Sequence, residues 1–146
     1  MQGADGFFKI FSRSIRQILK KAKLDFEALQ EIRMRIDRPL MVRQGGEEYS
    51  LTEEGELVPC RKVQEAGEIS KIHYVNRCEL METMEYIAGY SLYAYEDELR
   101  QGFLTIQGGH RVGVAGKILM EEGKIKSIRY ISFLNIRLAH QIAGCA

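Results

Sequence analysis

The chain has no tryptophan, only two prolines and three cysteines, and no long apolar run. Cys60, Cys78 and Cys145 are odd in number and far apart, which argues against a disulfide framework and against a CxxC zinc or redox site. That cysteine usage points to a reducing, intracellular compartment. No segment approaches the roughly 18 apolar residues of a membrane span, and no charged-then-apolar leader opens the sequence. Any membrane contact is therefore expected to be peripheral. Charge of one sign is also lacking, with 21 Lys plus Arg against 20 Asp plus Glu, so a dedicated nucleic-acid binder is not expected. What is present is a globular profile, 45% apolar and 28% charged, over 146 residues, a length suited to one domain.

The opening segment, "GFFKIFSRSIRQILKKAKLDF", carries Phe7, Phe8, Phe11, Ile15, Ile18, Leu19 and Ala22 at three- and four-residue steps. This spacing predicts one amphipathic helix, with Lys9, Arg13, Arg16, Lys20 and Lys21 largely on its other face. Such a helix usually covers its own domain's core; the alternative is docking to a membrane surface or a partner. Ile32, Met34 and Ile36 then alternate with charged residues, the period of a half-buried strand. Asp37-Arg38-Pro39 reads as a turn, Leu40 to Gln44 as a second strand, and Gly45-Gly46 as a hairpin into a third at Glu47 to Leu51. Thr52 to Ser70 is polar and turn-rich, with room for a short strand. Lys71 to Val75 reads as a strand running into a helix whose start is marked by Asn76 and Glu79, a capping box. Leu80, Met81, Met84, Ile87 and Ala88 form that helix's apolar face, and Ser91 begins a second short helix that Gly102 stops. Strands are then expected at Phe103 to Ile106, Arg111 to Met120, Lys124 to Phe133 and Leu134 to His140. The layout is α+β with an antiparallel sheet, an N-terminal helix over 1–24 and a domain over 25–146 holding two central helices. The final "HQIAGCA" closes no element, so a longer protein is expected to continue beyond it.

Motifs for autonomous chemistry fail on inspection. In "QGGHRVGVAGKI", Gly116-Lys117 is followed by Ile118, and Arg111 stands where a P-loop needs its first glycine. Ala115 stands where a dinucleotide fingerprint needs glycine. Gly108-Gly109 instead reads as a two-residue turn between antiparallel strands, with Gly113 and Gly116 marking bulges or close backbone approach. His73, His110 and His140 have no ligand spacing, so no metal site is expected. Glu96, Asp97 and Glu98 fan around a helix toward solvent, and "RQGFLTI" lacks the further aromatics of an RNA-binding strand. The residues that stand out are arginines on strands: Arg33 and Arg35 opposite Ile32 and Met34, Arg111 beside the glycine turn, Arg129, and Arg137 between Ile136 and Leu138. Arginine suits bidentate contact with anions, although any one such residue more often pairs with a surface carboxylate.

Three stretches, "LQEIRMRIDRPLMV", "YIAGYSLYAYEDELRQGFLTIQGGHRVGVAGKI" and "ISFLNIRLAHQIAGCA", resemble the N-terminal part of the stage III sporulation protein AA family, ATPases of endospore-forming bacteria. The family is similar to the secretion and pilus-retraction ATPases, which work as hexameric rings. The resemblance implies a PAS-like sheet and a non-catalytic N-terminal domain, with a P-loop ATPase domain after residue 146. It implies ATP and Mg2+ as cofactors of the full-length protein only. It also implies contacts with the chain's own ATPase domain, neighbouring subunits and other stage III sporulation membrane proteins, on the mother-cell cytoplasmic side of a membrane. By motif position, Arg111 and Arg137 are the residues implied to reach nucleotide, with Arg129 a third. The other reading is a docking module for a membrane partner, using the N-terminal helix or the Thr52–Ser70 segment.

Overall fold

The computed structural model describes residues 6–62, 71–89, 102–121 and 124–139, with backbone alone at 62, 117–121 and 124–130. The alternation of Ile32 and Met34 with Arg33 and Arg35 builds β1 (Leu29–Arg35), whose apolar side chains are fully buried. A chain reversal leads to β2 (Met41–Gln44), the Gly45-Gly46 hairpin to β3 (Glu47–Leu51), and a further turn to the short strand β4 (Leu57–Pro59). A second meander holds β5 (Phe103–Thr105), β6 (Arg111–Glu121) and β7 (Lys124–Arg137). β1 pairs with β7, which joins the two meanders into one seven-stranded antiparallel sheet of order β4-β3-β2-β1-β7-β6-β5.

Helix α1 (Arg13–Lys21) and helix α2 (Arg77–Gly89) complete the α+β fold, with α2 lying against β7 and touching α1. Ile15, Leu19, Leu80, Met84 and Ile87 from the helices share one core with Ile32, Met34, Val112, Leu134 and Ile136 from the sheet. Burial of each such side chain contributes about 1.5–3 kcal/mol. The apolar face of α1 is thus used within the domain. Among the described residues no helix is long and apolar enough to cross a membrane.

The structure corrects the expected elements at four places. The N-terminal helix is interrupted: residues 6–8 form a helical turn, and α1 starts only after Ser12, whose hydroxyl accepts from Ile15 N–H at 3.3 Å. Serine caps a new helix here because it satisfies an end amide that the broken helix exposes. The break lets Phe7, Phe8, Ile10 and Phe11 all be buried, which no single helical face could do. Lys71 to Val75 makes two isolated bridges, Thr52 to Ile72 and Pro39 to Tyr74, rather than a ladder, because it crosses over the β2 and β3 ends. The turn before β6 spans three residues, Ile106 N–H bonding His110 O at 3.0 Å. β7 runs unbroken through Phe133 and Leu134, where two strands were expected. The reason is a bulge: Ala115 pairs with Phe133 but Gly116 pairs with Ile131, leaving Ser132 as an extra residue. The bulge shifts the alternation by one, so Ile131 and Leu134 are both buried. The expected helix over Ser91 to Leu99 and the Glu122-Gly123 turn lie outside the described residues.

Polar contacts between the helices fix how they sit. Thr83 Oγ1 accepts from Ser12 N–H at 2.9 Å, and Glu82 accepts from Arg13 N–H at 2.7 Å. Acidic groups on α2 therefore meet the positive end of the α1 dipole. The capping box is formed as expected, Asn76 and Glu79 exchanging bonds of 3.0 and 2.8 Å. Glu79 also accepts from Ser14 Oγ at 2.6 Å and lies 2.9 Å from His73 Nε2. Hydrogen bonding to Glu79 outweighs burial and raises the His73 pKa above its ordinary 6.5. Burial alone would raise Glu79, but its bonds from His73, Ser14 and Asn76 together lower it below 4.5.

Two expectations concern stability. The His73 contribution is complete below pH 6.5 and fades as pH climbs through the raised value. The Glu79 contribution is complete above pH 4.5 and fades as pH falls through the lowered one. Urea midpoints measured against pH should peak between these limits, and His73→Gln should remove the alkaline limb and shallow the acid one, because His73 is part of what lowers Glu79. Gly55 has φ +86° and a Cβ there would lie 2.7 Å from Ala22 N. Gly55→Ala should cost at least the roughly 1–2 kcal/mol of a left-handed residue, read as a lower urea midpoint.

Candidate functional site

The helices cover one sheet face, and the other carries charge in register. Pairing places Arg111 opposite Arg137, Arg137 opposite Glu31, Glu31 opposite Arg43 and Arg43 opposite Glu48, one row across five strands. The next row runs Phe103, Gly113, Asn135, Arg33, Met41. Phe133 and Arg35 face each other one row further on.

Within this face the carboxylates are already committed. Arg33 Nε binds the buried Glu31, and Arg33 Nη1 lies 2.9 Å from Glu48. The bond to Glu31, opposed only by burial, raises the Arg33 pKa and keeps it charged. Among the described residues, no carboxylate lies within ion-pair distance of Arg111 or Arg137. Arg111 sits instead over the half-exposed Phe103 ring, 5.7 Å from its centroid. Like charges directly opposite on a sheet repel, and among the described residues the nearest carboxylate in this row, Glu31 opposite Arg137, is bound to Arg33. Phe103, Arg111, Gly113, Asn135 and Arg137 line a cleft of about 240 Å³. Asn135 Oδ1 is shielded from solvent and, among the described residues, has no hydrogen-bond partner.

Of the expected site residues, Arg111 and Arg137 are therefore brought together. Arg129 lies on β7, and its side chain is outside the described atoms. Gly113 floors the cleft, and a Cβ there would make only ordinary contacts with Asn135 at 3.8 Å. Gly116 stands at the β6–β7 register shift with φ +134°. Gly108 and Gly109 form the turn that starts β6. Gly108 is required twice over: its φ is +96°, and a Cβ would fall 2.9 Å from the ring of His110. That ring is buried edge-on against Phe7 at 4.9 Å, its Nδ1 accepting from Ala139 N–H at 3.0 Å. So the glycine turn seats on a core histidine and sets where Arg111 begins. Sequence reasoning missed Phe103, Phe133 and Asn135. The readable signal was Asn135 itself, a poor strand former inside "FLNIRL".

The comparisons with known proteins agree with one another. The family described as sporulation stage III, protein AA matches residues 1–146. The chain belongs to this family. The stage III sporulation protein AA of Bacillus subtilis (strain 168) is 34% identical over 119 residues, covering 81% of this chain and 32% of that relative. This chain thus spans about a third of the length of the curated relative it matches. No solved structure matches it. Membership of the stage III sporulation protein AA family gives the chain a role in sporulation.

If the arginine pair is an uncompensated repulsion, removing half of it should help the fold. Arg111→Thr should raise stability at low salt by about 0.2–1 kcal/mol, and the gain should shrink as salt screens the pair. Urea midpoints at two ionic strengths would check this, and a loss of stability at low salt would contradict it.

Proposed function

We propose that this chain is the non-catalytic N-terminal domain of a sporulation ATPase, and that its open sheet face presents Arg111 and Arg137 to nucleotide phosphate. The phosphate would be held, with its magnesium, by a P-loop domain elsewhere in the longer protein, in the same subunit or a neighbour of a hexameric ring. In this reading the domain supplies no nucleophile and no metal ligand. It delivers charge, so that its position on the motor responds to nucleotide state and hydrolysis is coupled to a mother-cell channel or secretion complex.

The observation carrying this reading is the juxtaposition of Arg111 and Arg137 without a carboxylate between them. Two guanidinium groups held by adjacent strands are preorganised for a phosphate, which would neutralise their repulsion. Positioned cations that stabilise developing charge on a transferred phosphoryl group are a large term in ATP hydrolysis. Phe103 beside Arg111 narrows the cleft and limits the directions that guanidinium can take. The family relative is longer than this chain, which leaves length for a motor domain.

The test uses the full-length protein. Arg111→Ala and Arg137→Ala should each lower ATP turnover, by about a hundredfold where the arginine contacts the transition state, while circular dichroism stays that of the parent. Unchanged turnover in both variants would sink the proposal.

A further inference from the structure

Beyond the Arg111–Arg137 pair, a larger cleft of about 720 Å³ opens on the far side of Asn135. It lies over β7, β1 and β2 and reaches the turn that follows β1. Pro39, Met41 and Phe133 give it an apolar wall. Arg35 and Arg38, both exposed, stand at its rim on either side of the turn, where Arg38 N–H donates to Arg35 O at 3.1 Å. Among the described residues, neither has a carboxylate within ion-pair distance. Arg33 lines the cleft too, but its guanidinium is held by Glu31 and Glu48, so its stem is what remains for a ligand. Asn135 closes the cleft where β7 meets β1.

We infer that this cleft binds an acidic peptide segment of a partner protein, one that carries apolar side chains between its carboxylates. A few residues of such a peptide supply every complement the cleft asks for. Carboxylates meet Arg35 and Arg38. An apolar side chain fills the Pro39–Met41–Phe133 wall, in a volume typical of ligand sites. Among the described residues, Arg33, Arg35, Arg43, Arg111 and Arg137 against Glu31 and Glu48 leave this face positive, so the occupant is acidic. A nucleic-acid backbone fits less well. Its phosphates leave the Pro39–Met41–Phe133 wall unfilled, and its unbroken charge would have to pass Glu31 and Glu48 in the adjoining row. This site uses Arg35 and Arg38 and stands independently of the nucleotide reading.

Fluorescence anisotropy tests it, with a rhodamine-labelled peptide alternating glutamate and leucine titrated with the chain at physiological ionic strength, where the charges of the other cleft are screened. Binding should saturate, weaken roughly tenfold in Arg35→Glu and in Arg38→Glu, and be unchanged in Arg111→Ala. A peptide alternating glutamate and glycine should bind several-fold more weakly, since it lacks the apolar anchor. Both charge reversals are at exposed positions, and unchanged circular dichroism would verify their folding. The inference is overturned by glycine and leucine peptides binding alike, by reversals without effect, or by an oligonucleotide that binds with the same dependence on Arg35 and Arg38.

Discussion

Everything on the open face depends on the pairing of β1 with β7. Ile32 meets Ile136 and Met34 meets Leu134 across that junction, and all four side chains are fully buried or nearly so. Without it the two meanders would each expose an apolar edge strand, which is unstable alone and prone to pair elsewhere. Because strand alternation is strict, the same pairing that buries Ile136 must turn Arg137 to the other face, beside Glu31. Core and charge are therefore two readings of one register. A slip by a single residue would bury the arginines and expose the isoleucines.

That register also explains how the arginines come to face each other. An unbroken ladder from the Glu121–Lys124 pair would set Arg111 opposite Leu134. Three register shifts along β6 and β7 accumulate instead, and Arg137 takes that place. The shifts displace the ladder by one residue each, and one of them falls where Gly116 adopts a conformation that side chains rarely take. Bulges re-aim side chains in this way near functional surfaces. At its other end β6 is set by the Gly108 turn packed on His110. The arginine pair is thus fixed from both ends of one strand.

Local pattern made much of the fold legible. β1 was readable because alternation is clean from Ile32 to Arg35, past the register shift between Leu29 and Glu31, and the start of α2 because Asn76 and Glu79 satisfy each other three residues apart. The N-terminal helix was read too long because Phe7 through Leu19 fits a helical period, while the choice of Ser12 as a cap depends on Thr83 and Glu82, far away in sequence. β7 was read as two strands because the bulge at Ser132 breaks its alternation. Arg111 and Arg137 could be named from residue type, but not their adjacency, since no sequence pattern counts bulges. Asn135 was missed for a related reason. Its unpaired oxygen follows from what surrounds it, and an isolated asparagine in a strand looks only like a poor choice.

The two clefts meet at Asn135, yet their charges are well separated. Arg137 and the Phe133–Arg35 pair stand four residues apart along β7, about 13 Å at the rise of a strand. That exceeds the Debye length of about 8 Å at physiological ionic strength. An anion at one cleft would therefore do little to the field at the other. What remains shared is the asparagine side chain and the rigid strand beneath it. Any coupling between the clefts must pass through the position of β7, which its buried neighbours on β1 hold in place. The core beneath the face is therefore insulated from whatever charge either cleft meets.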